Sequence, residues 1–493
     1  MSAGRKGVVA AGHPLTARAG ADALRAGGNA VDGALAAMFT SFVTESLLTG
    51  LGAGGYMLVA GPPALGVEPV LLDFFVAAPT RQNDGSEAEL LAVEVSFGDA
   101  VQVFHVGPAS CGVYGVPAGV CAAAERWGSL PLAELAAPAA RLAQDGVEIN
   151  HAQAYVVEIL GELLLSTAES AAVWAPQGEL LEEGEMVRNP DLAAALMRLA
   201  REGAEPFYRG EVADAVCSWL QRRGGSLRAS DLAAYEAIER TPVRVAYRDR
   251  EILTNPPPSA GGTLLAYALR LLDRAPSPPP LREVVAAMAA AQAERSAEFL
   301  DGLAEDGFLQ RFLSSRLGST THISVIDRDG LACSVTCTNG EGSGVVVPGT
   351  GIHLNNVMGE QDLNPLGFHR HPAGRRMPSM MAPSIAMRGG EVELVVGSAG
   401  SNRIRSAILQ TIVAVVDHGF DAAAAVRAPR VHFEDGIVYA EPGIGLDELD
   451  PALPRVRFGA LNLFFGGAQA ALRRDGALSG GGDPRRGGAV VQL

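Results

Sequence analysis

Two β-like runs meet at Asp329-Gly330, a dipeptide that favours tight reversal of the chain. Before it stands Ser319-Thr320-Thr321-His322-Ile323-Ser324-Val325-Ile326-Asp327, and after it Leu331 to Thr338. The pattern predicts an antiparallel hairpin. Depending on loop length, Thr320 falls opposite residue 337, 338 or 339, so Thr338 is expected beside Thr320 with its hydroxyl within hydrogen-bond reach. A threonine-rich hairpin with no chemistry has the same local pattern, and this segment alone leaves both readings open.

Short strand-like runs continue after residue 320, at Ser384 to Met387 and Val392 to Val396, with helices predicted over Ser406 to Asp417 and Asp421 to Ala428. Ahead of it, helices are predicted over Pro14 to Ala26, from Asn29 or Asp32 to Glu45, and over Pro131 to Asp145, Asp191 to Glu202 and Glu211 to Arg223. Tyr56 to Val59 and Val70 to Phe75 read as strands. Asn255 to Gly262 reads as a stiff proline-glycine loop. The apolar stretch Ala34 to Val59 is interrupted by Glu45 and four glycines, which suits a buried helix and strand better than a membrane span. Gly50-x-Gly52-x-x-Gly55 meets the dinucleotide spacing, but a helix precedes it and a strand follows, the reverse of that fingerprint. No repeat and no long linker divides the chain.

The formal net charge of −16 disfavours nucleic acid and anionic membrane surfaces as partners. The five cysteines are odd in number and form no CxxC pair, so neither a disulfide framework nor a zinc site is indicated. Cys333 and Cys337 read as buried apolar fillers. His353, His369 and His371 lie close in sequence. His369-x-His371 lacks a third ligand and reads as solvated loop histidines, so no metal and no cofactor is expected. Met1 to Gly12 has no long apolar core, and a cytoplasmic location is the expectation.

Further motifs follow in a fixed order: Ala26-Gly27-Gly28-Asn29-Ala30-Val31-Asp32, Gly52-Ala53-Gly54-Gly55-Tyr56-Met57-Leu58, Val116-Pro117-Ala118-Gly119, and Asp231-Leu232-Ala233-Ala234-Tyr235 with Glu239-Arg240-Thr241-Pro242. Pro256 to Gly262, Leu354-Asn355-Asn356, Gly397 to Ile404 and Asp483-Pro484-Arg485-Arg486-Gly487 complete the series. Together with Thr320 to Val325, this order resembles the γ-glutamyltranspeptidase family of N-terminal-nucleophile hydrolases.

The resemblance implies an α+β fold, a four-layer αββα sandwich made as an inactive precursor. The Thr320 hydroxyl would attack the Ser319 carbonyl. Residues 1–319 would become the large chain and 320–493 the small one, intertwined in one catalytic domain, and such heterodimers could pair again as a homodimer. The freed α-amino group, with a pKa of about 7.7–8.0, would serve as base to its own hydroxyl, beside Thr338. Backbone N–H groups of Gly400 and Ser401 would form the oxyanion hole, where the family has glycine at both places. The substrate would be a small-molecule amide or peptide.

The chain departs from the family at the acyl pocket. Phe75 stands where an arginine holds the substrate carboxylate, and Ser379-Met380 where a serine pair assists it. Gly340, Val357 and Glu360 stand where an asparagine, a glutamine and an aspartate hold the substrate amine. These changes predict poor turnover of glutathione and better fit of an apolar acyl group, or of an amine paired to Glu360. The short stretch Gln361 to Met377 predicts an open site that favours hydrolysis over transfer. Two other readings are an acylase for β-lactam side chains or poly-γ-glutamyl chains, and a catalytically silent binding homologue.

Overall fold

The computed structural model describes residues 7–80, 90–96, 101–293, 321–360, 363–364, 367–400 and 402–493. Ser319, Thr320 and Ser401 lie outside the described residues. Thirteen strands build two large antiparallel sheets: β1 (Gly7–Ala11), β2 (Gly54–Ala60), β3 (Val70–Phe74), β4 (Ile238–Arg240), β5 (Val243–Tyr247), β6 (Arg250–Thr254), β7 (Thr321–Asp327), β8 (Ala332–Thr338), β9 (Ser384–Arg388), β10 (Glu391–Ala399), β11 (Gly467–Arg474), β12 (Ala477–Gly482) and β13 (Ala489–Gln492). The first sheet has the order β13-β1-β7-β8-β2-β3-β4 and the second β12-β11-β10-β9-β6-β5. Each sheet mixes strands from before residue 319 with strands from after it, because β1 and β2 flank the hairpin β7–β8 and β6 pairs with β9.

Strand alternation decides what meets what. From the hairpin, Ile323, Val325, Cys333, Val335 and Cys337 join the core under helices α1 (Pro14–Arg25) and α2 (Ala30–Thr44). Ile326 and Ala332 join the core between the sheets. The second sheet is covered on its other side by α3 (Ala260–Leu272) and α4 (Arg403–Val416). Polar residues also reach into the inter-sheet layer and bond across it. Ser324 Oγ donates to Gln469 O at 3.0 Å and Ser334 Oγ to Val396 O at 3.4 Å.

The motif around Asn29 folds as its residues dictate. Asn29 caps α2, accepting from the amides of Val31 and Asp32, and the Asp32 carboxylate accepts from Asn29 N at 2.8 Å. Asp327, at the end of β7, accepts from Ala30 N at 3.0 Å, which ties the helix start to the hairpin. The stiff loop at Asn255 stops earlier than expected. Ala260 to Gly262 already belong to α3, whose first turn lies so close to the backbone of Met380 that a Cβ on Gly261 would collide with it. No helix of the described residues is long and apolar enough to cross a membrane.

A buried charge cluster fastens the C-terminal motif to the second sheet. Asp483 pairs with Arg430 at 2.7 Å and with Arg485 at 3.1 Å, and accepts from Ala468 N at 2.7 Å. Glu441 accepts from Arg485 Nε at 2.7 Å. All four side chains are buried. Removing one partner of such a cluster leaves buried charge uncompensated. Asp483→Ala is therefore expected to lower stability by about 3–5 kcal/mol in urea unfolding. A loss below about 1 kcal/mol, the value of an exposed pair, would show that the cluster is no clamp.

Candidate functional site

Among the sequence-predicted site residues that are described, Thr338 and Gly400 stand at one end of the two sheets. Thr321 pairs with Cys337, and Thr338 is the next residue and the last of its strand. Thr338 is buried, and its Oγ1 accepts from Gly340 N at 2.7 Å, which leaves the hydroxyl proton to donate elsewhere. On the facing sheet β10 runs the same way along the interface. Ser334 bonds Val396, the His322 ring covers Gly397, and the series leads to Gly400 directly after Ala399.

Gly400 has φ +118°, a conformation that side chains rarely adopt, so glycine is required there. Its carbonyl accepts from Arg403 N at 3.0 Å. The next described residue, Asn402, donates to Glu434, which also meets His432 Nε2 at 3.3 Å, while His432 Nδ1 shares a hydrogen bond with Ser406 Oγ at 2.8 Å. Burial works to raise the Glu434 pKa, but His432, Arg403 and Arg405 hold it at about 2. This network was not foreseen from the sequence, and it anchors the turn after Gly400. His322 bonds Thr336 Oγ1 at 2.7 Å and Ser324 Oγ at 2.9 Å, and burial pushes its pKa down to about 3, so it stays neutral.

The pocket residues separate into different surroundings. Phe75 is fully buried and stacks on Tyr56 with ring centroids 5.5 Å apart. Val357 shares that inter-sheet core, whereas Met380 belongs to the core under α3. Ser379 Oγ accepts from Met381 N at 3.1 Å. Gly340, Asn356 and Glu360 do come together, for the space above Gly340 is closed by the side-chain oxygens of the other two. Two arginines near Phe75 are already engaged: Arg240 and Arg376 pair with the buried Asp73 at 2.7 and 3.3 Å. Part of the stretch to Met377 packs on the neighbouring backbone, with Ala78 N donating to Arg375 O and Met377 N to Val76 O, both at 2.9 Å.

The histidine reading needs correction. His371 is buried rather than solvated, and its Nε2 donates to Leu363 O at 3.3 Å; His353 is buried as well. That carbonyl gives the buried His371 ring a polar partner. Among the described residues no group of three or more His, Cys, Asp and Glu side chains is placed to hold a metal ion.

Two charged residues lie where sequence reasoning put no function. Glu45, just beyond α2, accepts from Thr321 Oγ1 at 3.0 Å and from Thr16 Oγ1 at 3.4 Å. Its only signal in the sequence is an acid inside an apolar run. Arg486 extends from the C-terminal motif over Gly467 toward Gly400. Burial and the nearby Arg403 charge lower its pKa to about 10. Both residues line a cavity of about 350 Å³ whose floor includes Thr321, His322 and Ala399.

The family model described as Gamma-glutamyltranspeptidase matches residues 16–493. The chain is 30% identical over 534 residues to the "Glutathione hydrolase proenzyme" of Escherichia coli (strain K12), covering 98% of this chain and 90% of that one. It is 31% identical over 482 residues to the "Acylase ACY 1 proenzyme" of Pseudomonas sp. (strain SE83), covering 90% and 85%. Among solved structures, the cephalosporin acylase from Bacillus halodurans matches with a TM-score of 0.83 at 26% identity, covering 99% of this chain and 96% of that one.

Burial raises the Glu45 carboxyl from 4.5 to about 7, against the opposing pull of Thr321, Thr16 and Arg486. Between these values the unfolded chain has released the proton and the folded chain still holds it. Stability therefore falls as pH rises through this window, and the fall levels off above about 7. Glu45→Gln removes the linkage. Unfolding of both proteins from pH 4.5 to 7 should show the variant gaining on wild type by up to about 3 kcal/mol. A difference that stays constant with pH would overturn the assignment.

Proposed function

The chain belongs to the γ-glutamyltranspeptidase family, and on that premise we propose that it is the precursor of an autoprocessing threonine amidohydrolase with an altered acyl preference. The observation that carries this reading is the register of β7 on β8, with Thr338 one place beyond the partner of Thr321. In the proposed reaction the Thr320 hydroxyl attacks the Ser319 carbonyl. The peptide shifts to an ester, and water releases residues 1–319 from 320–493. In turnover the new α-amino group takes the proton of the Thr320 hydroxyl as it attacks a substrate amide. N–H groups of Gly400 and Ser401 receive the oxyanion, and Thr338 donates a hydrogen bond to the nucleophile. The amine leaves with the proton, and water then hydrolyses the acyl ester on Thr320.

The interleaved strands support one body after cleavage, since separating the chains would break both sheets. The sheets with helices on their outer faces support the four-layer αββα reading. A second reading, an acylase for apolar acyl groups, is favoured by Phe75. Its ring is committed to the core against Tyr56 and offers a carboxylate nothing.

Purified wild type should give two co-eluting bands near two-thirds and one-third of the 51.0 kDa chain. Thr320→Ala should give one band and no amide hydrolysis, and Thr338→Ala should slow processing by about tenfold to a hundredfold, the value of a charge-assisted hydrogen bond. An intact wild type that hydrolyses amides as well as Thr320→Ala would remove Thr320 as nucleophile. For specificity, kcat/KM on glutathione should lie about a hundredfold or more below that on an amide with an apolar acyl group. Equal values would refute the altered preference.

A further inference from the structure

We propose that Glu45 is the proton acceptor for self-cleavage of the precursor, taking the hydroxyl proton of residue 320 through water in the cavity beside Thr321. This rests on Thr320 as the nucleophile and supplies the base that its first reaction requires. In turnover the free α-amino group can take that proton. In the precursor the same nitrogen is an amide joined to Ser319 and has no basic lone pair, so self-cleavage needs another acceptor.

The carboxyl of Glu45 sits in a place built for it. Its backbone is fixed at the end of the helix Ala30–Thr44, with Glu45 N donating to Ser41 O at 2.8 Å and Thr49 N to Glu45 O at 3.1 Å. A Cβ on Gly12 would stand 2.1 Å from Oε1, so glycine there leaves the carboxyl its room. Thr321 Oγ1 donates to Oε1 at 3.0 Å, and Thr321 is joined directly to residue 320. On the other side Thr16 Oγ1 lies 3.4 Å from Oε2 and 2.8 Å from Thr44 Oγ1, and Thr44 Oγ1 donates to Thr40 O at 3.1 Å. These hydroxyls suit both protonation states. An ionised Glu45 accepts from Thr16. A protonated one donates to Thr16, whose own hydrogen then turns to Thr44.

The other titratable groups on the cavity wall are poorer acceptors near neutral pH. Burial pushes His13 down to about 4 and His322 to about 3. Burial and Glu158 raise Tyr155, and the exposed His151 pairs with Glu183 at the rim. Arg485 is sealed against Asp483 and Glu441, while the Arg486 charge favours the ionised form of Glu45. Thr321 and His322 point to opposite faces of their strand and both line the cavity, so it reaches round the strand start to either face. Its volume of about 350 Å³ accommodates a chain of water molecules. As the oxygen of residue 320 bonds to the Ser319 carbonyl carbon, its proton passes to Glu45 and the carbonyl electron pair moves onto its own oxygen. When the C–N bond breaks, Glu45 returns a proton to the departing nitrogen. An ester and a free amine result, and Glu45 ends as it began.

The test follows full-length chains made by cell-free synthesis and shifted across pH, with conversion to two bands timed on denaturing gels. Wild-type cleavage should quicken about tenfold per pH unit below about 7 and level off above it. Glu45→Gln, whose amide oxygen can still accept from Thr321, should slow cleavage about a hundredfold or more and lose the inflection, and Glu45→Asp should keep part of the rate. Thr321→Val removes a hydrogen bond that favours the carboxylate, so its inflection should move to higher pH. A structural role alone would survive Glu45→Gln. Cleavage of that variant at the wild-type rate, an inflection that persists in it, or an unshifted inflection in Thr321→Val would overturn the proposal. Failure of the underlying reading looks different. Thr320→Ala would then still be cut, whereas failure of this proposal leaves Thr320→Ala whole and Glu45→Gln cut as fast as wild type.

Discussion

The pairing of Thr321–Asp327 with Ala332–Thr338 is the interaction on which the rest of the molecule depends. Its alternate residues feed two different cores, Cys333, Val335 and Cys337 toward the helices and Ile326 and Ala332 toward the second sheet. A slip of one residue would turn His322 and Thr336 into the helix layer and strand Val335 among polar groups. The same strand ends in Asp327, which receives the first amide of the helix Ala30–Thr44. The far end of that helix delivers Glu45 to Thr321. Register, helix placement and the wall of the cavity are thus one geometric consequence.

Around this frame the buried charges divide by whether their partners are built in. Asp483 with Arg430 and Arg485, and Asp73 with Arg240 and Arg376, are closed sets that hold distant segments together. His322 is also closed, neutral and bonded to two hydroxyls. With no charged imidazole at the end of the strand, the proposed chemistry places proton transfer on the amine of residue 320, which is economical because base and nucleophile share one residue. Glu45, bonded to Thr321 and Thr16, and Arg486, whose Nε has no partner among the described residues, both line the cavity.

Three apolar residues that read alike in the sequence take different places in the fold. Phe75 and Val357 fill the layer between the sheets, while Met380 faces outward under the helix Ala260–Leu272. These apolar side chains thus contribute to two separate cores rather than to one pocket wall. Glu360 lies with Asn356 above Gly340, while Val357 faces the core between the sheets.

Local pattern was enough for the hairpin, for the helix capped by Asn29 and Asp32, and for rejecting a dinucleotide fold at Gly50 to Gly55, where the helix ends at Thr44 and the strand begins at Gly54. Those features follow from φ/ψ preferences and alternation, which neighbouring residues set among themselves. Glu45 meeting Thr321 across 276 positions is of another kind. So is the contrast between Arg485, sealed in a salt bridge, and Arg486, next to it and open. Nothing in the dipeptide distinguishes them. Their fates differ because consecutive side chains point in different directions, and what lies in each direction depends on how the two sheets and their helices stack.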